Sequence, residues 1–211
     1  MKCLTTALVM IMLLVASQYT FAEGTWTNFP GKYAYPDRLA VTSDGDVWIS
    51  VAEVLRYDGE TWTSFTDEGG FTPNTNNVFS IACSSEGDVW FGTRSGVTRY
   101  DGETWTNFYK GENGLPDSEA PCAPIAVTPS GIVWVAIDNV GVSRYDGETW
   151  TTFTKDDGLG SDWVRSIAVL SDDIVLFATS TNGISIYNGD SWSYFNADDG
   201  LISNYIRDKT S

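Results

Sequence analysis

The chain has 211 residues, of which 42% are apolar and nine are tryptophan, so it is long and apolar enough to bury a core. Its 28 Asp and Glu residues outnumber its 12 Lys and Arg residues and give a net charge of −16. This charge repels phosphate backbones and anionic lipids, which excludes nucleic acid and argues against a lipid surface as partner.

The N-terminus predicts a secretory signal peptide over residues 1–22. Lys2 precedes a mainly apolar stretch from Leu4 to Val15, and Thr20 and Ala22 occupy the small-residue positions of a cleavage site. The stretch falls short of the roughly twenty residues that span a bilayer. We therefore expect a secreted or periplasmic chain of residues 23–211 with no stable membrane anchor.

A short aromatic sequence motif recurs along this mature chain. It first appears as EGTWTNF from Glu23, and further copies begin at Tyr57 (YDGETWTSF), Tyr100, Tyr145 and Tyr187. The last four copies recur every 42 to 45 residues, which indicates an array of similar units. We predict units at 36–65, 78–108, 122–153 and 164–195, with a surplus strand at 25–29 and a partial C-terminal unit.

Each unit predicts four short antiparallel strands. In the third unit Ile125 stands nine residues before Trp134, across a turn signal, and Tyr145 stands five before Trp150, across Asp-Gly. Such dipeptides between short apolar runs are strong hairpin signals. In TWTTF the Trp and Phe lie on opposite faces of a strand, so both faces of the sheet are buried. This pattern predicts an all-β propeller of about four blades, either a ring with ragged ends or an open arc.

Two cysteines remain once the signal peptide is removed. Cys83 lies two residues after Ile81, whereas Cys122 lies three residues before Ile125. This offset predicts a separation of roughly 15 Å along adjacent inner strands, more than a disulfide spans. We expect two free, buried thiols.

The repeat resembles a known family. VWFGTRSGVTRYDGETWTNF (Val89–Phe108) and VWVAIDNVGVSRYDGETWTTF (Val133–Phe153) are similar to the two-component regulator propeller repeat. That family occurs in the periplasmic sensor regions of hybrid histidine kinases and in free-standing secreted proteins. The resemblance implies a propeller that binds or senses a ligand, although this sequence shows no membrane span, kinase or DNA-binding segment.

Loop lengths predict which rim of the propeller carries the binding site. Turns between the first and second strands and between the third and fourth keep constant spacing, whereas the links between units vary from 10 to 17 residues. Recognition is expected on the variable rim, because loops carry it. Aromatic, amide and charged side chains there suit a glycan, peptide or small molecule, or else plug the channel mouth. The candidate ligand-binding residues are Tyr35, Arg38, Phe71, Asn77, Arg94, Asp138, Trp163 and Arg165.

Catalysis, a metal and a cofactor are not expected. The sequence contains no His, the commonest general base, and the similar streptogramin-lyase propellers are understood to depend on one. A carboxylate-dependent glycan-active enzyme or lyase remains an alternative, but Asp156–Asp157 and Asp198–Asp199 recur within DDGL and predict turns. The acidic SDGD and SEGD segments also predict turns rather than calcium loops.

The sequence therefore predicts an extracytoplasmic ligand-binding or sensing module. The alternative is a protein-interaction or assembly scaffold, which includes self-association that completes the ring.

Overall fold

A computed structural model describes residues 37–51, 53–66, 71 and 78–206. The predicted signal peptide, the surplus strand at 25–29 and the candidate residues Tyr35 and Asn77 lie outside the described residues. Within these ranges no helix is long and apolar enough to cross a membrane.

In the described part of the chain, sixteen strands form four antiparallel sheets, each of four strands that pair in chain order. The first sheet comprises β1 (Arg38–Val41), β2 (Val47–Ser50), β3 (Val54–Tyr57) and β4 (Trp62–Phe65). The second comprises β5 (Val78–Cys83), β6 (Val89–Thr93), β7 (Gly96–Tyr100) and β8 (Trp105–Tyr109). The third comprises β9 (Cys122–Val127), β10 (Val133–Ile137), β11 (Gly141–Tyr145) and β12 (Trp150–Phe153). The fourth comprises β13 (Val164–Val169), β14 (Val175–Thr179), β15 (Ile184–Tyr187) and β16 (Trp192–Phe195).

The repeated aromatic motif forms the turn between the third and fourth strands of each sheet. In the second sheet the Asp101 carboxylate accepts hydrogen bonds from the backbone N–H groups of Glu103 (2.9 Å) and Thr104 (2.7 Å). Gly102 takes a φ of 97°, which favours glycine, and the Tyr100 hydroxyl donates to its carbonyl at 2.7 Å. The motif therefore has a structural role in this hairpin.

Aromatic rings from the same repeat fill the space between successive sheets. Trp48 of β2 stacks on Phe65 of its own sheet at 5.3 Å between ring centroids. It also packs against Phe91 (5.7 Å) and Tyr100 (5.4 Å) of the second sheet. Trp134 repeats this arrangement between the third and fourth sheets. Offset and edge-on ring pairs of this kind stabilise a core beyond their apolar burial.

One glycine lets two neighbouring sheets approach closely. A Cβ atom added to Gly92 of β6 would lie 1.9 Å from the carbonyl oxygen of Cys122 at the start of β9. The third and fourth sheets carry the small residues Ala136 and Ala178 at the corresponding position. Gly92 therefore lets β9 lie against the second sheet at a distance that a larger residue would not allow.

The first strands of the sheets line the inside of the assembly. β5 contacts β1 on one side and β9 on the other, and β9 contacts β13. Together with the four-stranded sheets, this series confirms the predicted propeller architecture, and the described residues form an open arc rather than a closed ring.

Cys83 and Cys122, which lie in the described part of the chain, are free, as predicted. Cys83 ends β5 and is half-buried, whereas Cys122 begins β9 and is buried. The pairing registers place them at opposite ends of adjacent inner strands, because Cys83 faces Val89 and Cys122 faces Ile137.

Candidate functional site

A cleft of about 460 Å³ lies at the rim of the arc where the inner strands begin. We call it the central cleft. All four inner strands and the turn between β10 and β11 contribute to it. Its lining residues are Asp37, Arg38, Leu39, Phe79, Ser80, Pro121, Ala123, Pro124, Asp138, Val164 and Arg165.

Most of these residues occupy equivalent positions in the repeats. Each inner strand carries an apolar landmark at the equivalent position, namely Leu39, Ile81, Ile125 or Ile167, and cleft residues stand one and two positions before it. One position earlier, the first three strands carry Arg38, Ser80 and Pro124. Two positions earlier, the four strands carry Asp37, Phe79, Ala123 and Arg165. Four repeats of similar fold therefore place chemically different side chains around one cavity.

Arg38 is held in place by backbone carbonyls. Its Nε donates to the carbonyl of Phe79 at 2.5 Å, and its Nη1 donates to the carbonyl of Asp37 at 2.7 Å. The side chain thus bridges the first and second inner strands. It is exposed and forms no ion pair within the described residues.

Arg165 lies on the opposite side of the cleft and faces an acid. Its Nη1 lies 3.4 Å from each of the two carboxylate oxygens of Asp138, and its Nε donates to the Ser180 hydroxyl at 2.8 Å. The guanidinium also lies 5.3 Å from the centroid of the Trp163 ring. Because Asp138 follows β10 and Arg165 belongs to β13, this ion pair joins the third sheet to the fourth.

Phe79 and Ser80 form the wall between these two arginines. The guanidinium of Arg94 lies 5.9 Å from the centroid of the Phe79 ring, and its Nη1 donates to the carbonyl of Glu119 at 3.4 Å. The Ser80 hydroxyl oxygen accepts a hydrogen bond from the N–H of Ile125 at 3.1 Å, so its own hydrogen is directed elsewhere. This wall combines an aromatic face with a hydroxyl.

Of the residues predicted to bind a ligand, Arg38, Asp138 and Arg165 line the central cleft. Arg94 stands behind Phe79, and Trp163 is 40% exposed beside Arg165 without lining the cavity.

Phe71 corrects the sequence prediction. Its side chain is fully buried and packs against Phe91 (5.5 Å) and Trp105 (4.9 Å) in the core between the first and second sheets. The equivalent residues of later repeats are Leu115 and Leu159, which are also buried. Phe71 is therefore the core residue of a link, not a ligand contact on the rim.

The paired carboxylates of the DDGL segments lie in short 3-10 turns, at Lys155–Asp157 and Ala197–Asp199. Asp157 accepts from the N–H of Thr154 at 2.9 Å, and this hydrogen bond lowers the pKa of its carboxyl. Asp199 accepts from the N–H of Asn196 at 3.1 Å. Both carboxylates cap their own turns.

Sequence analysis did not identify Phe79, Ser80, Ala123 or Pro124 as cleft residues. Their signal was present in the repeat alignment, since each stands one or two residues before a constant apolar landmark and differs from its counterparts.

The two-component regulator propeller model matches residues 72–95, which confirms the resemblance in the second repeat. No curated protein sequence matches the chain significantly.

Solved structures share the fold. A catalytically inactive virginiamycin B lyase from Staphylococcus aureus, crystallised with quinupristin, is 18% identical with a TM-score of 0.64 over 82% of this chain and 60% of its own. The extracellular domain of a putative hybrid two-component system from B. thetaiotaomicron is 23% identical with a TM-score of 0.58 over 74% of this chain and 22% of its own. YCF48 bound to D1 peptide is 13% identical with a TM-score of 0.57 over 84% of this chain and 61% of its own. The chain thus spans less than two thirds of each of these structures, and at these identities the likeness establishes the propeller fold.

Proposed function

We propose that the chain is an extracytoplasmic ligand-binding or sensing propeller module that captures a glycan, peptide or small molecule in the central cleft. The observation that carries the proposal is the chemical variety at equivalent positions of the four inner strands. Repeats that differ only for packing reasons would not need Asp37, Phe79, Ala123 and Arg165 around one cavity. Its volume of about 460 Å³ falls within the range of small-molecule sites, roughly 300–1,000 Å³.

The comparisons support this proposal in a general way. One structural neighbour is an extracellular domain of a putative two-component system, and two others were solved with quinupristin and with a peptide. We propose binding without turnover, because the carboxylate of Asp138 in the cleft faces Arg165 and the sequence has no His. A bound compound should accordingly be recovered unchanged by mass spectrometry.

A cleft-filling substitution tests the proposal. Leu39 lines the cleft and is 37% exposed, so Leu39→Trp narrows the cavity without emptying the core. The matched control is Leu170→Trp, because Leu170 is 65% exposed in the turn between β13 and β14, on the other rim. Glycans, peptides and small metabolites are screened by thermal shift and confirmed by calorimetry. We expect a saturable ligand that the Leu39 variant loses and the Leu170 variant retains; equal retention by both variants contradicts the proposal.

A scaffold role is the second candidate, favoured by the outer face of the fourth sheet. Phe195 is 40% exposed, although its counterparts Phe108 and Phe153 pack against the following sheet. Leu201 is half-buried, whereas its counterpart Leu159 is fully buried. The first sheet of a second copy fits this face, because it is a repeat of the sheets that cover the equivalent faces around Phe108 and Phe153. Light scattering on residues 23–211 should then show a defined oligomer that Phe195→Asp dissociates and Leu170→Asp leaves intact; a monomer at all concentrations removes this candidate.

A further inference from the structure

We infer that the ligand of the central cleft carries a single carboxylate, bound by Arg38, together with hydroxyl or ammonium groups that donate to Asp37 and Asp138. This inference rests on the proposed function and names the chemical class of its ligand.

The Arg38 guanidinium is arranged to receive a carboxylate. Its two hydrogen bonds, to the carbonyls of Phe79 and Asp37, use Nε and Nη1 and fix the plane of the group. Among the described residues Nη2 has no hydrogen-bond partner, and Arg38 forms no ion pair with a side-chain carboxylate. A guanidinium that is already oriented loses little side-chain freedom on binding, and its fork matches a carboxylate.

The second arginine is engaged differently. Arg165 lies at 3.4 Å from Asp138, longer than the 2.8 Å between Arg99 and Asp88 elsewhere in the chain. Strong charge-assisted hydrogen bonds are typically about 2.7–2.9 Å long. Asp138 therefore keeps acceptor capacity toward the cavity, and a donor on the ligand can share it with Arg165.

The acids of the cleft limit the charge of the ligand. Asp37 and Asp138 balance the formal charges of Arg38 and Arg165, and the chain as a whole carries −16. A ligand with several negative groups is repelled by this field, whereas one carboxylate beside Arg38 is not. Hydroxyl or ammonium groups elsewhere on the ligand satisfy the two acids.

The apolar wall completes the recognition surface. The Phe79 ring, Pro121 and Pro124 offer flat faces that pack on the face of a sugar ring or on an apolar side chain. Two sources supply the required chemistry, namely an oligosaccharide ending in a uronic acid and a short peptide with a free C-terminus. Both contain one carboxylate and several hydrogen-bond donors.

Calorimetry with matched pairs tests the inference. Cellobiouronate is compared with cellobiose, and a tripeptide with a free carboxyl terminus is compared with its C-terminal amide. In at least one pair we expect the carboxylate member to bind about tenfold tighter or more, since a hydrogen bond to a charged group contributes this much. The pair that shows the preference identifies the source. The preference should weaken as salt is added.

Arg38→Gln should abolish the preference for the carboxylate member. The control is Arg144→Gln, which removes the same charge from β11, where Arg144 pairs across the sheet with Trp134 and does not line the cleft. If the Arg144 variant loses the preference equally, or if in both pairs the carboxylate member binds no tighter than its neutral partner, the inference is overturned. If only neutral ligands bind and Leu39→Trp blocks them, the proposed function stands and the inference is overturned. If Leu39→Trp blocks no ligand, the proposed function and the inference are both overturned.

Discussion

Arg165 and Asp138 form an ion pair that ties the fourth sheet to the third at the edge of the central cleft. The distance from Nη1 to the carboxylate is 3.4 Å, and the two side chains are 35% and 31% exposed. A long, partly solvated pair contributes little to stability, because water screens it and both side chains lose freedom. This geometry suits a pair that exchanges partners with a ligand better than a latch between sheets.

A double-mutant cycle separates these roles. We expect Asp138→Asn and Arg165→Gln to show a coupling free energy of less than about 1 kcal/mol in urea unfolding. Arg99 and Asp88 provide the reference cycle, since they lie at 2.8 Å within the second sheet. A coupling energy at Asp138 and Arg165 clearly above that limit would identify a structural latch instead.

Phe71 and Trp163 were predicted alike from the sequence, but their substitutions should differ. Phe71→Ala should lower the free energy of unfolding by about 3–5 kcal/mol, because it opens a cavity between the first two sheets. Trp163→Ala should cost less than about 1 kcal/mol, since that ring is 40% exposed and packs mainly on Arg165. Urea unfolding of both variants measures the difference; equal losses contradict the assignment of Phe71 to the core.

The fold could be predicted because its signals are local and repeated. Asp101 and Gly102 specify a hairpin through turn geometry and hydrogen bonds to the backbone. The spacing of Trp90 from Tyr100 then predicts the two neighbouring strands, β6 and β7. Phe71 was wrongly assigned to the ligand site because it replaces the Leu that stands at the same position in later repeats, at Leu115 and Leu159. The aromatic side chain of Phe71 suggested an exposed ligand contact, whereas its position in the repeat indicated a buried core residue.

The central cleft was only partly predictable for a different reason. Arg38, Asp138 and Arg165 were found because charged residues stand out near loops. Phe79 and Pro124 read as ordinary strand residues, and they reach the cleft only because four inner strands converge. That convergence depends on packing between sheets, which no single repeat specifies.

The turn carboxylates predict a loss of stability in acid. Backbone N–H groups lower the pKa of Asp58 and of Asp101 to about 2, against about 3.9 in an unfolded chain. Because the folded pKa is depressed, the stabilisation is fully present above about pH 4 and is lost as the pH falls toward about 2. Thermal unfolding between these limits should show a falling Tm.

Replacing both turn acids by Asn should flatten this pH dependence while keeping the turns. The fourth sheet already carries Asn188 at this position, where its side-chain oxygen accepts from the N–H of Ser191 at 2.8 Å. The control is Glu60→Gln with Glu103→Gln, whose side chains accept no hydrogen bond within the described residues. An unchanged pH dependence in the Asn variant would show that other groups dominate acid unfolding.

The thiols of Cys83 and Cys122 should be present but unreactive in the native protein. Burial raises the pKa of Cys83 to about 11 and that of Cys122 to about 12, so little thiolate forms near neutral pH. With Ellman's reagent and no reductant, we expect both thiols to react in denaturant and at least about tenfold more slowly in the native state. Cys83 should react first, because it is half-buried and Cys122 is buried. Cys83→Ser assigns the remaining signal to Cys122, and a denatured chain that releases no thiol would instead indicate a disulfide.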